Sequence, residues 1–117
     1  MKAILLIAHG SRMDAANEQL LRIASALQED PQYTVYPAFL ELCEPSIPIA
    51  VEHMLSDGIK NALVLPYFLS KGKHWQSDIA TEIDKAATTD FSYKLLDPIG
   101  EYPEIIDLLL GILKTAN

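Results

Sequence analysis

The sequence predicts an α/β fold, a three-layer sandwich on a four-stranded parallel sheet of flavodoxin-like topology, with the strand order 2-1-3-4. Two observations predict it. Short continuous apolar runs, the pattern of strands buried on both faces, alternate with segments of helical period. Four such alternations imply right-handed parallel crossovers, with helices on both faces of the sheet.

Ala3 to Ala8 is the first apolar run, and it ends at His9-Gly10. From Asp14 to about Glu29 the period changes, with Leu20, Ile23, Ala24 and Leu27 on one helical face and Glu18, Arg22 and Gln28 on the other. Asp30-Pro31 stops that helix, and Tyr33 to Leu40 reads as the second strand. The second helix starts near Pro48 and ends at Asp57-Gly58. Ser46 can cap it, and Gly58 can take the left-handed conformation that ends helices. Ala62 to Leu69 is the third strand, with Pro66 near its end, where a missing N–H costs least. Ser77 to Ala87 is helical, with Ile79, Ile83 and Ala86 inward. Ser92 to Leu96 is a fourth short strand, and Tyr102 to Lys114 a last helix. That helix is apolar on more faces than packing against one sheet requires. A subunit contact and deep burial within the monomer are the two explanations.

Residues 1–117, half of them hydrophobic, suit one domain with its own core. The net charge of −7, with only 9 Lys and Arg together, argues against nucleic acid and anionic membrane as partners. An anionic ligand must therefore be met by local positive charge. The single cysteine, Cys43, cannot form an internal disulfide, and Met1-Lys2 leads into a strand-like run without a signal-peptide layout. The expectation is a cytoplasmic protein. No apolar stretch approaches the roughly 20 residues that span a bilayer.

Two histidines, His9 and His74, each follow a strand-like run, and Glu41 follows a third. Loops leaving the carboxyl ends of neighbouring strands share one edge of an open sheet, so these residues can converge there. Two imidazoles and a carboxylate suit a borderline divalent metal such as Zn²⁺, Co²⁺, Ni²⁺ or Fe²⁺. A neutral imidazole can also accept a proton, and Glu41 can ligate metal, pull a proton or orient an imidazole. The alternative for His9 is a structural histidine bonded to a nearby carbonyl. Arg12 with Lys71 and Lys73 can draw an anionic ligand to this edge, although two lysines around Gly72 also make an ordinary solvated loop. Trp75 offers an aromatic wall or a packing residue. Glu44 can contact substrate or cap the next helix, and Cys43 can bind metal or simply fill space. His53, mid-helix between Glu52 and Met54, reads as a surface or packing residue.

The ordered set His9-Gly10-Ser11-Arg12, Ala38-Phe39-Leu40-Glu41, Glu44-Pro45-Ser46-Ile47-Pro48, Val64-Leu65-Pro66-Tyr67-Phe68-Leu69, Gly72, His74, Asp78-Ile79 and Asp97-Pro98-Ile99-Gly100 covers nearly the whole chain. It resembles the short, single-domain sirohydrochlorin chelatases, the class II type that needs no ATP. The resemblance implies a chelatase-like fold and a lyase that inserts Co²⁺, or Fe²⁺ or Ni²⁺, into sirohydrochlorin on the route to cobalamin or sirohaem. No cofactor beyond that substrate metal is implied. By matching motif, His9 and His74 would bind the metal, and His9 would also accept protons. Glu44 or its neighbour Cys43, and the loop Ser70, Lys71, Gly72 and Lys73, would contact substrate. Arg12, Lys71 and Lys73 would meet the carboxylates of the macrocycle. Short members pair as homodimers, in agreement with the apolar last helix.

Three rivals remain at this stage. Phosphohistidine enzymes also place His-Gly after a first strand, but Ala8 stands where their arginine is expected. A carrier of tetrapyrrole or metal would use the same residues without turnover. A regulatory doubly wound domain ranks last, because no acidic cluster follows the first strand.

Overall fold

The structure, a computed structural model, describes residues 2–116. Four strands, β1 (Lys2–Ala8), β2 (Tyr33–Phe39), β3 (Asn61–Pro66) and β4 (Ser92–Leu95), form one sheet in the order β2-β1-β3-β4. Every strand pairing is parallel, as the alternation of runs predicts. The helices are α1 (Asp14–Gln28), α2 (Ile47–Ser56), α3 (Trp75–Asp84) and α4 (Glu104–Thr115), and a 3-10 turn, Ile99–Glu101, precedes the last.

Alternation along β1 divides its side chains between two cores. Ala3, Leu5 and Ile7 join Ile47, Ala50, Val51 and Met54 of α2 and Ile79 and Ile83 of α3 on one face. Leu6 packs with Phe39 and with Leu20 and Ala24 of α1 on the other. Central β1 is thus covered on both sides, which is why it reads as an unbroken apolar run. Ser46 caps α2 by accepting a hydrogen bond from Ile49 N, and Gly58 lies at φ 83 beyond the end of the same helix. Both follow from the residues at those ends.

Several boundaries differ from the sequence reading. β3 stops at Pro66 instead of Leu69, and after one more bond, Tyr67 N to Ile7 O at 2.6 Å, the chain leaves the sheet. Residue 66 has no N–H for a neighbouring strand, and β4 has already ended opposite Val64. α3 begins at Trp75, directly after His74, and closes at Asp84 with a last turn in which Ala86 N and Ala87 N both bond Ile83 O. The last helix starts at Glu104, because Tyr102 precedes a proline and is extended at φ −93, ψ 141.

The expectation of deep burial for the last helix is overturned, since no residue of α4 is buried. Ile106, Leu108, Leu109, Leu110, Ile112 and Leu113 all stand exposed. The helix leaves the edge strand through the 3-10 turn and packs chiefly on that turn, and the molecule reaches 52 Å in its longest dimension. Each side chain so exposed forgoes about half of the roughly 1.5–3 kcal/mol that full burial contributes. Among the described residues no helix is long and apolar enough to cross a membrane.

Candidate functional site

The register places the ends of β1, β2 and β3 on one edge, with Ile7 paired to both Ala38 and Pro66. His9, Glu41 and the segment leading to His74 all leave from there. Leu40 N bonds Ala8 O at 2.9 Å and Glu41 N bonds His9 O at 3.0 Å, so the loops after β1 and β2 are stitched together. Gly10 makes this fit possible. Its φ is 96, and a Cβ there would lie 1.8 Å from the Glu41 carbonyl oxygen. Directly after Glu41 the chain reverses at Leu42, a non-glycine residue at φ 67. A left-handed residue of this kind costs roughly 1–2 kcal/mol, the sort of local strain that clusters where loops are shaped for a ligand.

The second histidine joins this edge through aromatic rings. The His9 ring lies 4.5 Å, centroid to centroid, from Phe68, and Phe68 meets Trp75 edge-on at 6.5 Å. Trp75 is the residue after His74, so the two histidines flank one aromatic run. Both histidines are exposed. His74 sits just before α3 without a side-chain cap bond, while its carbonyl accepts from Asp78 N and Ser77 Oγ. A neighbouring loop braces this segment. Lys71 pairs with Asp97 at 3.3 Å, and a Cβ on Gly100 would lie 1.8 Å from the Leu69 carbonyl oxygen.

Not every expected residue takes its expected place. Among the described residues no three His, Cys, Asp or Glu side chains form a group able to hold a metal, so His9, His74 and Glu41 are not assembled into a three-ligand centre. Glu41 is exposed at the tightly turned end of its loop. The Glu44 carboxylate accepts from Ser46 N at 3.1 Å and is therefore engaged at the start of α2. Half-buried Cys43 packs against the α1-side core and donates to Glu44 O at 3.3 Å. Arg12, Ser70, Lys71, Gly72 and Lys73 are exposed around the rim, and His53 is exposed on α2, well along the chain from it. A cavity of about 660 Å³ lies at the opposite edge of the sheet, among Lys2, Lys60, Asn61, Ser92 and Lys94, away from both histidines.

Sequence reasoning missed four contributors. Phe68, Asp97 and Gly100 stand in the motifs that carry the resemblance, but nothing in the sequence assigns them the bracing contacts they make. Asn17 holds the peptide of Ser11 from α1, and its signal was legible, because it is a polar residue on the same inward stripe as Leu20 and Ala24.

An open parallel sheet with its histidine-bearing loops gathered at the carboxyl edge defines a doubly wound α/β protein that meets its ligand at that edge. Residues 3–116 match the CbiX family model. The chain belongs to the CbiX family. It is 33% identical over 109 residues to the chloroplastic sirohydrochlorin ferrochelatase of Arabidopsis thaliana, covering 91% of this chain and 48% of that protein. With the sirohydrochlorin cobaltochelatase of Methanopyrus kandleri it shares 36% over 80 residues, 68% of this chain and 56% of the other. The crystal structure of the sirohydrochlorin chelatase SirB from Bacillus subtilis in complex with cobalt superposes with a TM-score of 0.83 at 28% identity, over 99% of this chain and 51% of SirB. The chain spans about half the length of these relatives.

Proposed function

We propose that this chain is an ATP-independent sirohydrochlorin chelatase, a lyase that inserts Co²⁺, with Fe²⁺ and Ni²⁺ as alternatives, into the macrocycle on a route to cobalamin or sirohaem. The observation that carries the reading is the pair of exposed histidines flanking the His9–Phe68–Trp75 run at the carboxyl edge. In this reading residues 1–117 are one chelatase-like domain, cytoplasmic, with no cofactor beyond the metal it transfers.

Insertion exchanges two pyrrole N–H protons for one divalent cation. The site must therefore hold a cation loosely and receive two protons. His9 and His74 supply two imidazole ligands and leave the remaining coordination positions open to the pyrrole nitrogens, whereas a closed thiolate cage would retain the metal. His9, once it releases the cation, and Glu41 are the proton acceptors. Phe68 and Trp75 give the flat ring apolar support. Arg12 and Lys73 meet its carboxylates, and Lys71 joins them by exchanging its exposed ion pair with Asp97, which at 46% and 51% side-chain exposure is weak. Ser70 and Gly72 line the same loop, and Cys43 and Glu44 lie along the facing rim, Glu44 in a secondary role because Ser46 N already holds it.

We infer in addition that the protein works as a homodimer joined through α4. In an α/β sheet of this order the helix after β4 belongs over β3 and β4, on the α1 side. There a groove of about 490 Å³ lies among Leu65, Leu96, Ile99, Tyr102, Ile105 and Leu108, and the rest of α4 is bare. The chain spans about half of the Arabidopsis and SirB proteins, and a second copy could supply the area that their remaining half provides.

The decisive experiment follows sirohydrochlorin absorbance, anaerobically, with purified protein and Co²⁺, Fe²⁺ or Ni²⁺ in turn against metal-only controls. Multiple turnovers above the uncatalysed rate establish a chelatase and rank the metals. A shift that saturates at one macrocycle per site identifies a carrier instead, and no change with any metal returns attention to phosphohistidine chemistry.

A further inference from the structure

Asn17 is the one polar side chain buried among the described residues, at 8% exposure, and it stands on the inner stripe of α1. Its amide makes a reciprocal pair with one peptide unit of the site loop. Ser11 N donates to Asn17 Oδ1 at 2.9 Å, and Asn17 Nδ2 donates to Ser11 O at 2.7 Å. Helix α1 itself gains no cap from this side chain. Its first turn bonds Met13 O, no side-chain cap bond is present, and Met13 N bonds Ser11 Oγ at 3.0 Å. A buried amide left without partners is costly, so its retention in place of an apolar residue on this stripe calls for a use.

The use is in what Ser11 connects. It lies between His9, whose carbonyl is tied to Glu41 N, and Arg12 on the rim. Gly10 against Glu41 fixes one end of this short segment, and Asn17 fixes the N–H and the C=O at its other end. We propose that Asn17 is a positioning residue, which sets the loop bearing His9 and Arg12 by clamping both polar groups of Ser11 from the core. The inference rests on the reading of His9 as a metal ligand, and its test includes a measurement independent of that reading.

Asn17→Asp keeps the shape and one acceptor. Ionised, it sets a carboxylate oxygen against the Ser11 carbonyl; protonated, it can donate there as the amide does. Co²⁺ affinity without macrocycle is measured for variant and wild type, side by side, at a temperature where circular dichroism shows both fully folded. The expected variant-to-wild-type ratio is a loss of roughly tenfold near about pH 8, shrinking to about twofold as the carboxyl is protonated toward about pH 6. Dividing by wild type removes the common titration of the histidines. If Asn17→Asp does not fold at the higher pH, Asn17→Ala takes its place, with a similar loss at every pH and no acid recovery. His53→Ala, exposed on α2 and outside this loop, is the control and is expected to bind within about twofold of wild type. The ¹⁵N–¹H shifts of Ser11 and Arg12 report the loop whether or not His9 binds metal, and they should move in Asn17→Asp and return in acid. Unchanged shifts in both Asn17 variants, or wild-type affinity in a protein whose Co²⁺ binding does depend on His9, overturn the proposal. Co²⁺ binding that ignores His9→Ala overturns the metal reading alone and leaves the shifts to decide for Asn17.

Discussion

His9 and His74 differ in how they are held, and their loss should separate accordingly. Both backbones are tied through their carbonyls, but the His9 ring also stacks near Phe68, while His74 sits at the far end of an exposed loop with no ring contact of its own among the described residues. In the absorbance assay His9→Ala is expected to lower turnover by roughly two orders of magnitude, since ligand and proton acceptor go together. His74→Ala should instead raise the metal concentration needed for half-maximal rate by about tenfold or more, a loss of roughly 1.4 kcal/mol or more of ligation. His53→Ala, on an exposed face of α2, should stay within about twofold. Near-wild-type rates for both His9→Ala and His74→Ala would falsify the site assignment. His9 was legible because a residue just past a buried strand reaches the ligand edge; His74 follows a similar apolar run, but β3 ends at Pro66 and the histidine stands well beyond it, directly before α3. The choice between Glu41 and Glu44 was not legible, because it turns on the 3.1 Å bond from Ser46 N, a contact set by the path of the chain through Leu42 to Pro45. Asn17 was legible as a polar residue in an apolar stripe, but its role was not, because the partner six residues back is set by the fold of the loop.

Between elements the loops are locked by close backbone approaches and by single polar ties. Gly100 is one such lock, and Gly100→Ala must push the Leu69 carbonyl away from 1.8 Å. The expected result is a displaced Ser70–His74 loop, weaker metal use and a stability loss of about 1–3 kcal/mol, read by denaturant titration alongside the absorbance assay. A second tie joins β2 to the end of α2, where Tyr36 OH donates to Asp57 at 2.7 Å. Burial, then the bond to Asp57 and its charge, push the Tyr36 phenol from 10.0 up to about 12. Neutral tyrosine is thus favoured in the folded state. Its contribution is complete below the unfolded value of 10.0 and is lost as pH rises through about 12. Tyr36→Phe should lower stability near neutrality and flatten its decline across that alkaline window, as unfolding curves at several pH values would show. The core faces and the α2 caps were readable from period and from Ser46 and Gly58. The ends of β3 and α3 were not, since periodicity continues through Tyr67 and Phe68, and only the missing N–H of Pro66 and the short reach of β4 stop the pairing.

At the scale of the molecule, the parallel sheet followed from four alternations and the expected order 2-1-3-4 is the one observed, whereas the seat of α4 was not readable. Its pattern reports an excess of apolar faces without saying what covers them. Replacing Leu109 and Leu113 by aspartate, both exposed on this helix, should leave a folded monomer where the parent sediments as a dimer. A monomeric parent would remove the dimer from the account. Turnover is expected to fall as dimerisation is lost if a second copy completes the site. Finally, β1 runs between two strands with Ala3 to Ile7 all buried, while Ser70 to His74 are all exposed. In amide hydrogen exchange the strand that delivers His9 should open only with global unfolding, and the segment that delivers His74 should exchange by local fluctuation. In the proposed site, one ligand would thereby be anchored to the part of the protein expected to open slowest and the other to a part expected to open quickly. A cation can then be let go from one side while the scaffold stays shut.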